Sequence, residues 1–306
     1  MWQDSDNEHK SLYRRHGLKN YKKRIQYDFK MNTKEVYNAL ILGIRDYFKK
    51  NNFKKAVIGL SGGLDSSVAI SLVVKALSRP NVIAILMPDI GTTSTRSMKN
   101  AEMLVKKLKI KHHNVAINDL VQFFKNLSKR LHYKSQIYAI SNVKARTRMM
   151  ILYYFANLEN ALVIGTSDKS EIALGYTTKH GDNAADILVI GDLWKTEVIE
   201  MGKFLSVPET ILKKKPSAEL VKGITAEKEL GASYQVLDKI LKAHIEDGLS
   251  PKQIIDKGFN KKLVKNVIDR IRLNEHKRRT AMLIRVSEKS FHGMEWRMPI
   301  TNRFKG

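Results

Sequence analysis

The sequence predicts an α/β protein: an open parallel sheet with helices on both faces, followed by a mostly helical C-terminal region. Three observations carry that expectation. Apolar runs of strand length alternate with longer stretches whose apolar residues recur every three or four positions. The first such run ends in a Ser-Gly-Gly turn that opens a helix, and the crossovers between runs suit parallel pairing. With 43% apolar and 28% charged residues over 306 positions, the chain has enough apolar material for a core.

Residues 1–30 carry eight Lys/Arg without clear period and read as a polar, basic extension. Residues 31–306 read as one domain, helical and basic from about residue 232. Val36, Leu40, Ile44, Tyr47 and Phe48 stripe a helix over Thr33–Lys50, behind a threonine that can cap it. Ala56–Leu60 is a strand, and Asp65–Ser78 the helix after its glycine turn. Val82–Leu86 is the second strand and Met98–Leu108 the second crossover helix. Asn114–Ile117 is the third strand, with a helix after Asn118. A helix over Val143–Leu158 leads into a fourth strand, Ala161–Gly165. Ile187–Ile190 is the fifth apolar run. Beyond it come helices over Lys195–Leu205 and Ser233–Ile245, and two more from Pro251 and Asn260.

Fifty-five Lys/Arg against 30 Asp/Glu give a net charge of +25, which suits a polyanionic ligand or nucleic acid. Cysteine is absent, which excludes disulfides, thiolate metal sites and a cysteine nucleophile and fits a cytoplasmic setting. No apolar run approaches the roughly 18 residues of a membrane span, and the N-terminus has no apolar signal core, so neither membrane nor export is expected.

The most specific local feature is the run Gly59, Leu60, Ser61, Gly62, Gly63, Leu64, Asp65, Ser66 and Ser67 between the first strand and its helix. Two glycines let the backbone turn tightly and present N–H groups to an anion; the hydroxyls and the helix N-terminus add to a phosphate cradle. The Gly-Lys-Ser/Thr ending of a Walker loop is missing. Asp65 is informative, because a carboxylate beside phosphates implies Mg²⁺ between them. An ordinary turn with Asp65 or Ser66 as helix cap explains those two residues equally well. Five fixed residues, however, match by chance only on the order of once in 10³ chains of this length.

SGGLDSS resembles the pyrophosphatase loop of the adenine-nucleotide α-hydrolase superfamily, Rossmann-like proteins that cleave ATP between its α and β phosphates. Four further segments sharpen the likeness: NVKARTRM at 142–149, GTSDKSE at 165–171, GYTTKHGDNAAD at 175–186, and GDLWKTEV…VPETI…KPSAEL…EKELG across 191–231. Together they resemble ammonia-dependent NAD⁺ synthetases. The resemblance implies ATP bound by residues 59–66 with Thr166, Lys195 and Ser217, and Mg²⁺ held by Asp65 and Glu171. It implies deamido-NAD⁺ on Arg146, Lys179, Asp186, His276 and Lys277, with Arg146 reaching in from the second subunit of a homodimer. Asp182 is the candidate to hold ammonium and take its proton. Taken alone, several of these residues have plainer readings: Thr166 or Ser167 as a helix cap, Arg146 and Lys195 as solvated helix residues, and HKRR as a surface patch. The sequence also departs from the family pattern. Arg279-Thr280-Ala281 stands where prolines often follow, Ala226 replaces an acidic residue, and Pro88–Ser97 lacks one near Arg96.

A carboxylate does not accept ammonia directly, because its leaving group would be oxide. Transfer of AMP to the nicotinate carboxyl makes a mixed anhydride that ammonia can attack, with AMP and pyrophosphate as by-products. That adenylate must be kept from water, and Lys213–Gly231, with Pro216 and Gly223, is the candidate closing loop. A fused glutaminase needs a cysteine and a further domain; free ammonia or a separate partner protein is therefore the expected donor. Two rival readings are a tRNA-modifying ligase with the same ATP loop, and a non-catalytic nucleic-acid-binding protein. The Gly175–Asp186 segment argues against the first, the second predicts salt-sensitive RNA binding and no pyrophosphate release, and nucleic acid is not expected as a partner despite the charge.

Overall fold

Thr33–Asn51 forms α1, and its buried Ile41, Ile44 and Phe48 lie along one stripe, as the sequence spacing predicts. In the computed structural model, which describes residues 31–289 apart from 135, 136, 218, 222 and 224, the expected extension at 1–30 and the last 17 residues lie outside the described part. Strand β1, Lys55–Gly59, leads into α2, Leu64–Leu77, which is buried on nearly every side. Strand β2 (Val82–Leu86), α3 (Thr95–Leu108), β3 (Lys111–Asn114) and α4 (Asn118–Arg130) follow, then α5 (Ile137–Glu159) and β4 (Ala161–Gly165). After α6 (Lys169–Leu174) and the two-residue β5 (Ile187–Leu188) come α7 (Lys195–Phe204), α8 (Glu209–Leu212), α9 (Ala226–Leu230), α10 (Tyr234–Ile245), α11 (Pro251–Asp256), α12 (Lys261–Leu273) and α13 (Glu275–Arg278).

The five strands form one sheet in the order β3-β2-β1-β4-β5, and each neighbouring pair is parallel. The chain winds outward from β1 through β2 to β3, then returns to the other side of β1 as β4. The β1/β4 boundary is therefore the switch point, where a crevice opens at the carboxyl ends of the strands. Val57, Ile83, Ile85 and Val163 face α4 and α5, where they pack with Ile117, Val121 and Ile151. Period-two alternation turns Ala56 and Ile58 to the opposite face, covered by α2 with α1 and α7 against it. A second core lies in the C-terminal helices, where Leu174 and Trp194 pack with Leu237, Leu241, Ile254, Val264 and Val267.

The third strand is displaced from the expected Asn114–Ile117. As an edge strand it carries Lys111, His112 and His113, mostly exposed, while apolar Val115 and Ile117 continue the pairing through N–H bonds to Leu86 and Pro88 carbonyls. The apolar pattern therefore marks the buried end of that segment. The expected run Ile187–Ile190 shortens to two residues, because Val189 and Ile190 turn into the core. Helix α5 begins six residues ahead of Val143. Helix α3 begins ahead of Met98, at Thr95, where Ser94 accepts a hydrogen bond from Ser97 N.

Candidate active site

The Ser61–Ser67 loop lies at the carboxyl end of β1. Gly62 has φ +70°, and a Cβ there would stand 2.1 Å from the Ser97 carbonyl oxygen of α3; only glycine fits this close approach. Gly63 caps α2 with extended backbone and no side-chain cap, so the first amides of that long helix face the crevice without a competing hydroxyl. The hydroxyls bond within the loop: Ser61 Oγ lies 3.0 Å from Ser66 Oγ and accepts from Gly63 N, and Ser67 Oγ donates to the Gly63 carbonyl at 2.6 Å. Gly59, Leu60, Ser61, Asp65 and Ser66 line the crevice with Thr166, Glu171, Asp182 and Ser217. Gly62, Gly63 and Leu64, expected on the ATP, do not line it.

Opposite the loop, β4 runs into α6. The cap of α6 is Asp168, not Thr166 or Ser167: its Oδ1 accepts from Glu171 N at 2.8 Å. This sets Asp168 and Glu171 on the side that meets Asp65 from α2, and oxygens of the three carboxylates lie within 4.8 Å of one another. Lys195, the first residue of α7, is wholly buried with Nζ 2.7 Å from Asp65 Oδ1, 2.7 Å from Asp168 Oδ2 and 3.0 Å from Glu171 Oε1. Its backbone is fixed from below, since Lys195 N donates to Ser170 Oγ, and Ser170 in turn donates to buried Asp238. The Tyr234 ring lies 5.2 Å beneath the ammonium.

Burial raises the Asp168 carboxyl to about 6 against the pull of Lys195, and raises Glu171 well above the usual range. Burial opposes the Lys195 ammonium too, yet the carboxylates of Asp168, Asp65 and Glu171 together hold its pKa well above normal. Three carboxyl groups thus surround a single ammonium. An all-oxygen donor set of this kind, its ligand atoms within 4.8 Å of one another, fits a hard divalent cation.

The other expected substrate residues fall into two groups. Asp182 opens to the crevice and accepts from Thr178 N at 2.6 Å; desolvation on its protein side raises its pKa. Lys277 donates to the Gly175 carbonyl at 2.7 Å, and Asn183 Nδ2 donates to the Lys277 carbonyl, so α13 is laid against the 175–183 loop. Burial lowers the Lys277 pKa. His276 is exposed with Nδ1 3.0 Å from the Leu273 carbonyl. Arg146 is exposed and its Nε donates to the Lys179 carbonyl at 3.3 Å. The Asp186 carboxylate points away from the crevice, into the sheet: Oδ2 accepts from Val163 N at 2.7 Å and Oδ1 from the Tyr153 hydroxyl.

Sequence reasoning missed Asp168, Lys144, Arg148 and Glu219. Lys144 and Arg148 are four apart on α5, hence on one face, and Arg146 lies some 200° round the helix. Lys144 is buried, 2.6 Å from Asp89, and Arg148 lines the crevice with Nε donating to the Met87 carbonyl. Glu219 reaches the first turn of α3, where both serines donate to it.

The NAD synthase family model matches residues 36–281. The chain is 39% identical to an NH₃-dependent NAD⁺ synthetase of Fusobacterium nucleatum over 84% of this chain and 97% of that one. It is 41% identical to a glutamine-dependent NAD⁺ synthetase of Thermotoga maritima over 90% of this chain, but spans only 49% of that relative. Among solved structures, an NMN synthetase of Francisella tularensis superposes with TM-score 0.74 and 34% identity, covering 84% of this chain and all of that one. An NH₃-dependent NAD synthetase of Campylobacter jejuni gives TM-score 0.71 and 28% identity, over 83% of this chain and all of that one. With a family model matched over residues 36–281 and a relative 39% identical along 97% of its own length, the chain belongs to the NAD synthase family.

Proposed function

We propose that this chain amidates the nicotinate carboxyl of deamido-NAD⁺ with ammonia, using ATP and releasing AMP and pyrophosphate, at the crevice between β1 and β4. The observation that carries the reading is the convergence of Asp65, Asp168 and Glu171 on the phosphate loop. Loop amides and hydroxyls of Ser61 and Ser66, with Thr166 and Ser217, hold ATP with its α phosphate toward the substrate. Asp65, Glu171 and Asp168 hold Mg²⁺, which when bound supplies positive charge to the departing pyrophosphate. Lys195 keeps its charge beside the same oxygens.

The substrate carboxylate oxygen attacks the α phosphorus as the bond to pyrophosphate breaks. Ammonia then attacks the acyl carbon and AMP leaves. Asp182, with its pKa raised, takes the proton from the ammonium that enters. Lys179, Lys277 and His276 form the rim that receives the dinucleotide, while Asp186 steadies the rim from the sheet side. Arg146 reaches the dinucleotide of a second copy. For that dimer the support is apolar surface on α4 and α5, where Tyr138 is 73%, Tyr154 61% and Leu158 64% exposed. No helix among the described residues is long and apolar enough to cross a membrane. With the absence of cysteine, this supports a cytoplasmic enzyme.

The test is pyrophosphate and AMP release with ATP, Mg²⁺, ammonium and deamido-NAD⁺, repeated with Asp65→Asn. NAD⁺ formation lost in the variant supports the reading. ADP and orthophosphate as products, or turnover only with tRNA, would refute it. A strong preference for the mononucleotide substrate would move it toward the activity named for the Francisella relative.

A further inference from the structure

Between α8 and α9, the residues Lys214, Pro216, Ser217, Glu219 and Leu220 line the crevice wall. This segment is fastened at two points. The Glu219 Oε1 accepts from Ser97 Oγ at 2.6 Å and Ser94 Oγ at 2.9 Å, and lies 3.1 Å from Lys214 Nζ. On the far side, Lys144 donates to the Leu220 carbonyl at 2.9 Å while its charge is met by Asp89.

Glu219 adopts φ +49°, a left-handed conformation that a non-glycine residue takes only when its surroundings compensate. What holds it there is the grip on α3. Burial works against its charge, but the Ser97 and Ser94 hydroxyls and Lys214 keep its pKa below normal. Its backbone N–H donates to Ser217 Oγ at 3.2 Å, so the same residue orients a side chain expected to contact ATP. The turn it grips is also the one against which Gly62 is packed, with Ser97 supplying a hydroxyl to Glu219 and a carbonyl to the face of Gly62. One turn of α3 therefore joins this segment to the phosphate loop.

We propose that Glu219 is a positioning residue that latches this segment to the phosphate loop through Ser94 and Ser97, and so decides whether the acyl adenylate meets ammonia or water. The inference rests on the amidation reading above. With the latch made, acyl transfer gives one NAD⁺ per AMP. With it broken, water adds to the acyl carbon, AMP leaves and deamido-NAD⁺ is regenerated, so ATP is converted to AMP and pyrophosphate with no NAD⁺ made. Hydrogen bonds to a charged group hold such a contact by a factor of roughly ten or more.

The experiment measures NAD⁺ and AMP formed by the full chain with ATP, Mg²⁺, deamido-NAD⁺ and limiting ammonium, for the parent, Glu219→Ala, Glu219→Gln and Ser94→Ala. Amide hydrogen exchange over 213–223 is followed in the same proteins without substrates. The expected result is an NAD⁺-to-AMP ratio near one for the parent, falling about three- to tenfold in Glu219→Ala, less in Ser94→Ala, and partly recovered in Glu219→Gln. Exchange should rise in the same order. A ratio that stays near one while turnover falls, or exchange that does not change, overturns the latch. A parent that makes no NAD⁺ from deamido-NAD⁺ sinks the amidation reading instead, and the exchange measurement still decides whether Glu219 holds the segment down. Glu219→Gln, which keeps the length of the side chain and removes only its charge, serves as the probe should Glu219→Ala fail to fold, since Ser94→Ala also removes the cap of α3.

Discussion

Asparagine at position 168 separates what the carboxylate cluster costs the fold from what it gives the reaction. Asp168 is fully buried, capping α6 through Oδ1 and touching Lys195 Nζ at 2.7 Å through Oδ2. Asparagine keeps an oxygen able to cap the helix and removes the charge, and its NH₂, a donor facing the Lys195 ammonium, takes back part of what the lost charge gives. Burial, opposed by Lys195, lifts the Asp168 carboxyl from 3.8 to about 6. That rise corresponds to about 3 kcal/mol by which the folded protein disfavours the ionised acid relative to the unfolded chain. The sign follows from proton counting: between about pH 4 and 6 the folded state binds more protons than the unfolded one. Stability from this group is therefore full below pH 4 and lost as pH rises through 6. Glu171, raised by the same burial, titrates along with it as one cluster.

In chelator at pH 8, Asp168→Asn should unfold no earlier than the parent and up to about 3 kcal/mol later, which is several degrees in Tm for a domain of this size. The advantage should fade as the pH falls toward 4. Adding Mg²⁺ should raise the parent's Tm and leave the variant's nearly unchanged, while the variant loses most pyrophosphate release. Thermal unfolding from pH 4 to 8, with and without Mg²⁺, reads all three. A variant that melts below the parent at pH 8, with the same pH profile, refutes the reasoning.

Lys195→Met leaves buried Asp168 and the half-buried Asp65 and Glu171 without their shared ammonium and should cost about 3 kcal/mol in urea unfolding, with part of the loss recovered by Mg²⁺. Gly62→Ala sets a methyl 2.1 Å from the Ser97 carbonyl and forces the phosphate loop out; ATP affinity measured by calorimetry should fall at least about tenfold. Tyr154→Lys together with Leu158→Lys should convert a dimer to monomer in sedimentation at unchanged helix content, and should lower affinity for deamido-NAD⁺ if Arg146 serves the partner's site.

What could be read from the sequence follows the range over which each contact acts. The glycine loop, its helix and the β1/β4 switch point are written locally, so Asp65 and Glu171 could be paired before any coordinates. Asp168 was within reach, since an acid three residues ahead of Glu171 at a helix opening shares its side of the turn. Arg146 differs from Lys144 and Arg148 by helical phase, a signal present in the spacing once the helix is known. Edge strand β3 was misplaced because its outward residues are polar and its apolar residues belong to the strand's end. Glu219 was out of reach, because its partner Ser94 is 125 residues away and nothing local marks the meeting.

Asp186 has a further consequence. Strand β5 covers β4 for only two residues, and beside that short cover the Asp186 carboxylate occupies the N–H of Val163 that a longer neighbour would have taken. A bare row of amides at a sheet margin invites foreign chains to zip on, and a side chain already seated on one of them denies the place. The molecule thereby guards its own border with one side chain where other folds lay down a strand.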